Sequence, residues 1–170
     1  DHFRLIGQDN HRRYLPVRDI RIRVVAEDSP FGVFARIAAA RVAGCRITVS
    51  FAPGFDHHPY ETACEVSHGW AGPVEFMEES DEYLASAITG RQCDRVRYAA
   101  ADRVPEIVRR AAAEACVFIA DAPVLAEGRV ELLWYVQEQS VSFDYHRYGN
   151  LGTRSGEDRA PLVAPGQNTD

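Results

Sequence analysis

The chain has 170 residues, about one domain's worth, and it is 46% hydrophobic and 26% charged, the balance of an ordinary globular domain. Acidic residues outnumber basic ones 25 to 19, a formal charge of −6, which excludes the electrostatic footprint of a nucleic-acid binder or of a protein drawn to an anionic membrane face. All 19 basic residues are arginine; without a lysine the chain by itself can supply neither a P-loop nor a Schiff-base enzyme.

No run of eighteen apolar residues occurs, and the start Asp1-His2-Phe3-Arg4 lacks the regions of a signal peptide. A cytoplasmic protein is expected. The first residue is not methionine and Met77 is the single methionine, so the N-terminus reads as cut from something longer, by design or by processing. Cys45, Cys64, Cys93 and Cys116 are unevenly spaced with no CxxC pair, which fits reduced, mostly buried thiols better than disulfides or a zinc ribbon.

Residues 1–18 are polar and irregular and read as a linker from an upstream module. Asp19-Ile20-Arg21-Ile22-Arg23-Val24-Val25 alternates as a strand does. A helix follows: Asp28 and Ser29 offer caps, Pro30 suits a first turn, Phe31, Phe34, Ile37, Ala38 and Val42 keep helical spacing, and Gly44 stops it. Arg46 to Phe51 is a second strand, completing a βαβ signature whose strands run parallel. Residues 52–73 are rich in glycine, proline and histidine and read as a long loop with one short helical piece.

Val74-Glu75-Phe76 then reads as a strand, and 80–88 as a helix with Tyr83, Leu84, Ala87 and Ile88 inward. Arg95 to Tyr98 is a strand, Asp102 caps a helix holding Val104, Ile107, Val108, Ala111, Ala112 and Ala115, and Val117 to Ala120 is an almost wholly apolar strand. This alternation predicts an α/β fold, a three-layer Rossmann-like sandwich with a mostly parallel sheet over 19–138. A helix is expected near 130–137, with Leu132, Leu133 and Val136 inward. Residues 139–150 form an extension strand that leaves the compact unit, with Val141, Phe143 and Tyr145 on one face. Residues 151–170 read as a flexible tail.

The candidate chemistry is thin. The turn Ala26-Glu27-Asp28-Ser29-Pro30 between the first strand and helix has no glycine and sets two carboxylates where a pyrophosphate would meet the helix. Asp56, His57, His58, Glu61, Cys64, Glu65 and His68 could gather a metal if 61–68 were helical, but there is no HExxH or CxxC core, and a solvated loop is the simpler reading. Ser50, Ser67 and Ser140 lack a GxSxG frame, and Cys116 precedes an apolar strand, where a thiol usually packs. Arg12-Arg13 reads as holding a carboxylate of a neighbouring segment. No catalytic, cofactor-binding or metal-binding residue is assigned; Val141, Phe143 and Tyr145 are the candidate docking residues, because a lone strand with an apolar face needs a partner.

The segments Gly7-Gln8-Asp9-Asn10-His11-Arg12-Arg13-Tyr14-Leu15-Pro16, Phe34 to Gly44 and Glu138-Gln139-Ser140-Val141-Ser142 to Tyr148-Gly149-Asn150 resemble the C-terminal region of bifunctional proline utilization A proteins. Those proteins fuse proline dehydrogenase to L-glutamate γ-semialdehyde (pyrroline-5-carboxylate) dehydrogenase. The resemblance touches most of the chain, from Gly7 to about Leu151. Residues 36–51 are also similar to the helix and strand of the aldehyde dehydrogenase nucleotide domain, except that Ser50 stands where the family has its cofactor-contacting lysine. Likewise Val96-Arg97-Tyr98-Ala99-Ala100 resembles the strand before the family's phosphate turn, but Ala101-Asp102-Arg103 replaces the glycine-bearing turn.

The resemblance implies a degenerate, non-catalytic nucleotide-type domain that stabilises assembly of a proline-catabolic enzyme or covers its substrate passage. It implies FAD and NAD for the parent protein and none for this chain, with the two dehydrogenase modules of the same polypeptide as partners, a homo-oligomer as a further possibility, and no nucleic acid or membrane span. The competing reading is an independent ligand-binding or regulatory α/β module that uses the 52–73 loop.

Overall fold

The computed structural model describes residues 5–56, 58–69, 74–146 and 149–157. Its elements, in chain order, are β1 (Gln8–Pro16), β2 (Asp19–Arg23), α1 (Pro30–Ala43), β3 (Arg46–Phe51), α2 (Glu61–His68), β4 (Val74–Glu78), α3 (Asp81–Thr89), β5 (Arg95–Arg97), α4 (Glu106–Ala115), β6 (Phe118–Ala120), α5 (Gly128–Glu131) and β7 (Val136–Asp144). The chain divides into two compact units, 16–137 and the two ends 1–15 with 138–170.

The larger unit holds a five-stranded sheet in the order β4-β3-β2-β5-β6, every pair parallel. This is the three-layer, Rossmann-like α/β architecture that the alternating pattern predicts. Even-numbered Ile20, Ile22 and Val24 of the β2 segment pack with Val33, Ile37 and Ala40 of α1 and with Ile47, Val49 and Phe51 of β3. On the opposite face, Val96 and Tyr98 pack with Leu84 and Ile88 of α3 and with Val108 and Ala112 of α4.

Helix boundaries follow local chemistry. The Ser29 hydroxyl accepts from Gly32 N at 3.1 Å, Pro30 fills the first turn, and Gly44 ends α1 at φ +90°, a left-handed value that glycine adopts without cost. Ser80 caps α3 in the same way, accepting from Tyr83 N at 3.2 Å. The α4 helix starts at Glu106, later than Asp102 would place it: Asp102 lies in a separate 3-10 turn, and Val104, directly before Pro105, is held extended at φ −88°, ψ 115°.

Other expectations fail for physical reasons. The helical period of α1 is right but its inward stripe is shifted: Phe31 and Val42 are 76% and 75% exposed, while Val33, Arg36, Ile37 and Ala40 are buried; in α3, Leu84, Ala87 and Ile88 are buried as expected and Tyr83 is exposed. The helix expected over 130–137 is instead α5, a 3-10 turn over Leu132–Tyr135, and the start of β7. Arg95 takes the backbone carbonyls of Trp134 (2.6 Å) and Val136 (3.0 Å) on one nitrogen, which ends helical pairing there; Leu133 is exposed and Tyr135 is buried.

The smaller unit is a two-stranded ribbon of β1 and β7. Residues 1–18, read as a linker, therefore contain a nine-residue strand. Its partner lies far along the chain, and its residues 8–13 are all polar, so no period-2 signal marks it. Side chains pair Gln8 with Asp144, Asn10 with Ser142 and Arg13 with Gln139; one number falls as the other rises, which makes the ribbon antiparallel. Beside this register, Tyr145 N donates to Gly7 O at 2.9 Å. Gly7 sits at φ +90°, and a Cβ there would fall 2.7 Å from His146 Nδ1, so only glycine fits.

Candidate functional site

In the 16–137 unit, the crossover through α1 carries the chain from β2 to β3 on one side, and β5 lies on the other side of β2. The loops after β2 and β5 thus diverge at the carboxyl end of the sheet, which is where open α/β sheets usually take ligands. A groove of about 940 Å³ lies there, walled by α1 and the 123–132 segment and floored by Ala99 and Ala100.

One end of this groove is built on Asp28. Its Oδ2 accepts from Arg36 Nη2 at 2.6 Å and from Val25 N at 3.2 Å, and its Oδ1 accepts from Arg103 Nη1. The Asp28 carboxylate and the Arg36 guanidinium are buried, whereas Arg103 is 27% exposed. Arg36 also donates to Arg23 O and Gly32 O, and the Tyr60 hydroxyl, whose pKa is raised chiefly by burial, donates to Asp28 O at 2.7 Å. An anion already stands at the entrance to α1, flanked by two arginines. The sequence sets Glu27 and Asp28 together at this turn, but only Asp28 enters this network; Glu27 is exposed.

A second cluster fills the other face of β2. Arg21 pairs with Glu79 at 2.6 Å and Arg23 with Asp81 at 2.8 Å, and Arg23 also donates to Ser50 Oγ at 2.8 Å and Glu79 O at 2.9 Å. A third joins Arg97 to Glu131 at 3.1 Å, with the Tyr135 hydroxyl donating to Glu131 Oε1 at 2.9 Å and Leu125 N to Oε2 at 2.9 Å. Arg97 lies 5.6 Å from the Trp134 ring centroid. Burial pushes the Tyr98 and Tyr135 hydroxyls up, so both stay protonated.

None of these groups is an activated nucleophile. Burial pushes the Cys45 and Cys93 thiols up to about 11, leaving them protonated at neutral pH, and Ser50 is engaged by Arg23. Cys116, expected to pack, is exposed in a left-handed turn at φ 55°. Among the described residues no group of three or more His, Cys, Asp and Glu could hold a metal ion. The helix 61–68 forms, but His57 and the side chains of Glu61, Cys64 and His68 lie outside the described residues, as do residues 70–73 of the loop, Trp70 among them.

The three docking candidates fall on the ribbon. Val141, Phe143 and Tyr145 share one face of the β7 segment. Phe143 is 59% exposed and meets His11 edge-on at 5.9 Å. Tyr145 lies under the Arg154 guanidinium at 3.8 Å, and Arg154 grips Asp9 with two nitrogens at 2.7 and 3.2 Å. Arg13 of the predicted carboxylate-binding pair donates instead to the amide oxygen of Gln139 at 2.6 Å.

Sequence reasoning missed Arg36 of the Asp28 network and the separate Arg97–Glu131 pair. The available signal was arginine at inward positions: Arg21 and Arg23 alternate with isoleucine, and Arg36 adjoins Ile37.

No family model and no curated protein matches the chain. Among solved structures it is similar to proline utilization A from Corynebacterium freiburgense, at 25% identity over 84% of this chain with a TM-score of 0.45. It is also similar to methylglyoxal synthase from Elizabethkingia anophelis NUHP1, at 14% identity over 90% of this chain and 99% of that one, with a TM-score of 0.47. No helix among the described residues is long and apolar enough to cross a membrane. The chain spans 11% of the proline utilization A chain it matches.

Proposed function

We propose that this chain is a non-catalytic C-terminal domain of a bifunctional proline-catabolic enzyme, a degenerate relative of the aldehyde dehydrogenase nucleotide domain that docks on the catalytic modules through the β1–β7 ribbon. On this reading FAD and NAD belong to the parent, which converts proline to glutamate by way of the semialdehyde. The domain stabilises the assembly or covers the passage of that intermediate.

The observation that carries the reading is the occupancy of the sheet's carboxyl edge by the protein's own ions. Asp28, held by Arg36 and Arg103, stands where an incoming pyrophosphate would meet α1 and cancels one of the two arginine charges, so a single positive charge is left against the several negative charges of a pyrophosphate. Ser50, at the position where the resembled family has its lysine, is spent on Arg23. The ribbon supplies the complementary support: an isolated two-stranded ribbon is marginal in water, and this one keeps Phe143 and Tyr14 exposed.

The test uses the full-length parent truncated after Glu138, with Phe143→Asp as the milder variant. We expect weaker assembly and a lower coupled rate from proline to glutamate, with each active site assayed separately changing far less. Retention of both oligomeric state and coupled rate in the two variants overturns the docking role.

A further inference from the structure

The groove at the carboxyl edge is not explained by a docking ribbon, and its walls have a definite chemistry. One wall is the face of α1 that the core does not use, running from Phe31 through Ala35 and Ala38 to Val42, with Leu125 opposite. Phe31 and Val42 are eleven residues apart, which at 1.5 Å per residue makes an apolar wall about 16 Å long. The alanines leave the space open, and the volume of about 940 Å³ lies within the roughly 300–1,000 Å³ of small-molecule sites.

The charges at the groove decide what fits. Glu131 is cancelled by Arg97. Arg129 at the rim is almost fully exposed and paired to Glu127, and Glu27 is exposed to solvent. At the buried end, one carboxylate, Asp28, faces two guanidinium groups, Arg36 and Arg103, so one positive charge is left over. Arg36 is wholly buried and satisfied on all three of its nitrogens. The surplus is therefore presented by Arg103, whose Nη1 alone engages Asp28. A guanidinium with open donors is suited to a carboxylate. A dianionic phosphate would bring a second negative charge against Asp28 that nothing there compensates.

We propose that this groove binds a monocarboxylate with an apolar tail, the head on Arg103 and the tail along the Phe31–Val42 face of α1. The site lies within the 16–137 unit, with Tyr60 of the 52–73 segment bonded to the backbone of Asp28. Selectivity comes from two features at once: a single uncompensated positive charge at one end and an apolar wall beyond it.

Calorimetric titration of the full 170-residue chain with decanoate, below its micellar concentration, tests this. We expect saturable one-to-one binding, with decanol and decyl phosphate each at least tenfold weaker. Arg103→Gln, which leaves the buried Arg36–Asp28 pair in place, should weaken decanoate at least tenfold and leave decanol unchanged. Ala38→Phe, which fills the groove from its solvent side, should weaken both. Equal binding of decanoate and decanol, tighter binding of decyl phosphate, or decanoate binding indifferent to Ala38→Phe overturns the proposal. Should Arg103→Gln fail to fold, the Ala38→Phe variant and the ligand series decide alone.

Discussion

Arg97 and Arg154 are built alike and placed differently. Each holds a carboxylate and each lies on an aromatic ring, Arg97 with Glu131 and Trp134 in the sheet unit, Arg154 with Asp9 and Tyr145 in the ribbon unit. The Arg97–Glu131 side chains are 0% and 4% exposed, the Arg154–Asp9 side chains 36% and 24%. The same chemistry thus has opposite leverage: in the dry pair, loss of one partner strands a charge away from water, whereas in the wet pair solvent takes over. Pairing by itself says little about stability; the surroundings of the pair set its worth.

The largest effect should come from breaking the dry pair. Glu131→Ala leaves Arg97 uncompensated and removes the acceptor of the Tyr135 hydroxyl and of Leu125 N, and we expect a loss of about 3–5 kcal/mol in urea unfolding. A loss below about 1 kcal/mol would mean that the two arginines are equivalent after all.

A pH series sharpens the contrast, because Cys45 and Cys93 belong to the sheet unit and the described ribbon residues contain no cysteine. Their thiol pKa values are raised by burial from 9.0 to about 11. Below pH 9 folded and unfolded chains are both protonated at these sites. Between pH 9 and 11 the unfolded chain gives up its protons first, so stability falls with rising pH and levels off above 11, by on the order of 2 kcal/mol per thiol. The raised tyrosines act in the same direction, so the comparison is with Cys45→Ala/Cys93→Ala, in which the thiol part of the slope should vanish. An unchanged slope in that variant would place the alkaline loss elsewhere.

The smallest effect is expected at Arg154→Ala, which removes the pairs to Asp9 and Glu157 and the contact with the Tyr145 ring: a loss well below that of Glu131→Ala, diminished in 1 M salt. A shift of the main unfolding transition as large as that of Glu131→Ala would erase the distinction between the two units.

The layered order of the sheet unit was legible in the sequence because strands β2 to β6 alternate with helices whose caps, Ser29 and Ser80, and whose stops, Gly44 and Gly90, are local signals. Partner choice was not. The stripe of α1 was not legible, because Phe31 and Val42 are apolar yet turn outward, while Arg36 turns inward to meet a carboxylate eight residues upstream; hydrophobic period alone gives no sign for a buried charge that has found its counter-ion. The strand after 138 needs a partner, and that partner is an N-terminal strand whose residues 8–13 are all polar and so carry no alternation that would announce it. The candidate groove was legible only as an absence of glycine at the first turn; its positive charge depends on Arg103, which comes from 75 residues further on than Asp28.

The register of β1 against β7 also constrains the order of folding. Between Pro16 and Val136 lies the whole sheet unit, so the ribbon is a hairpin whose turn is a domain. Closing a loop on the order of 120 residues in a disordered chain costs roughly 4 kcal/mol in entropy before any constant term, more than a two-stranded ribbon recovers. Once the sheet has formed, Val17 N already donates to Tyr135 O at 2.9 Å, the two chain ends leave from one place, and closure is no longer a random search. The ribbon therefore zips last and opens first, and a grafted sheet unit with a similar spacing of entry and exit could take the place of this one without altering a single ribbon pair.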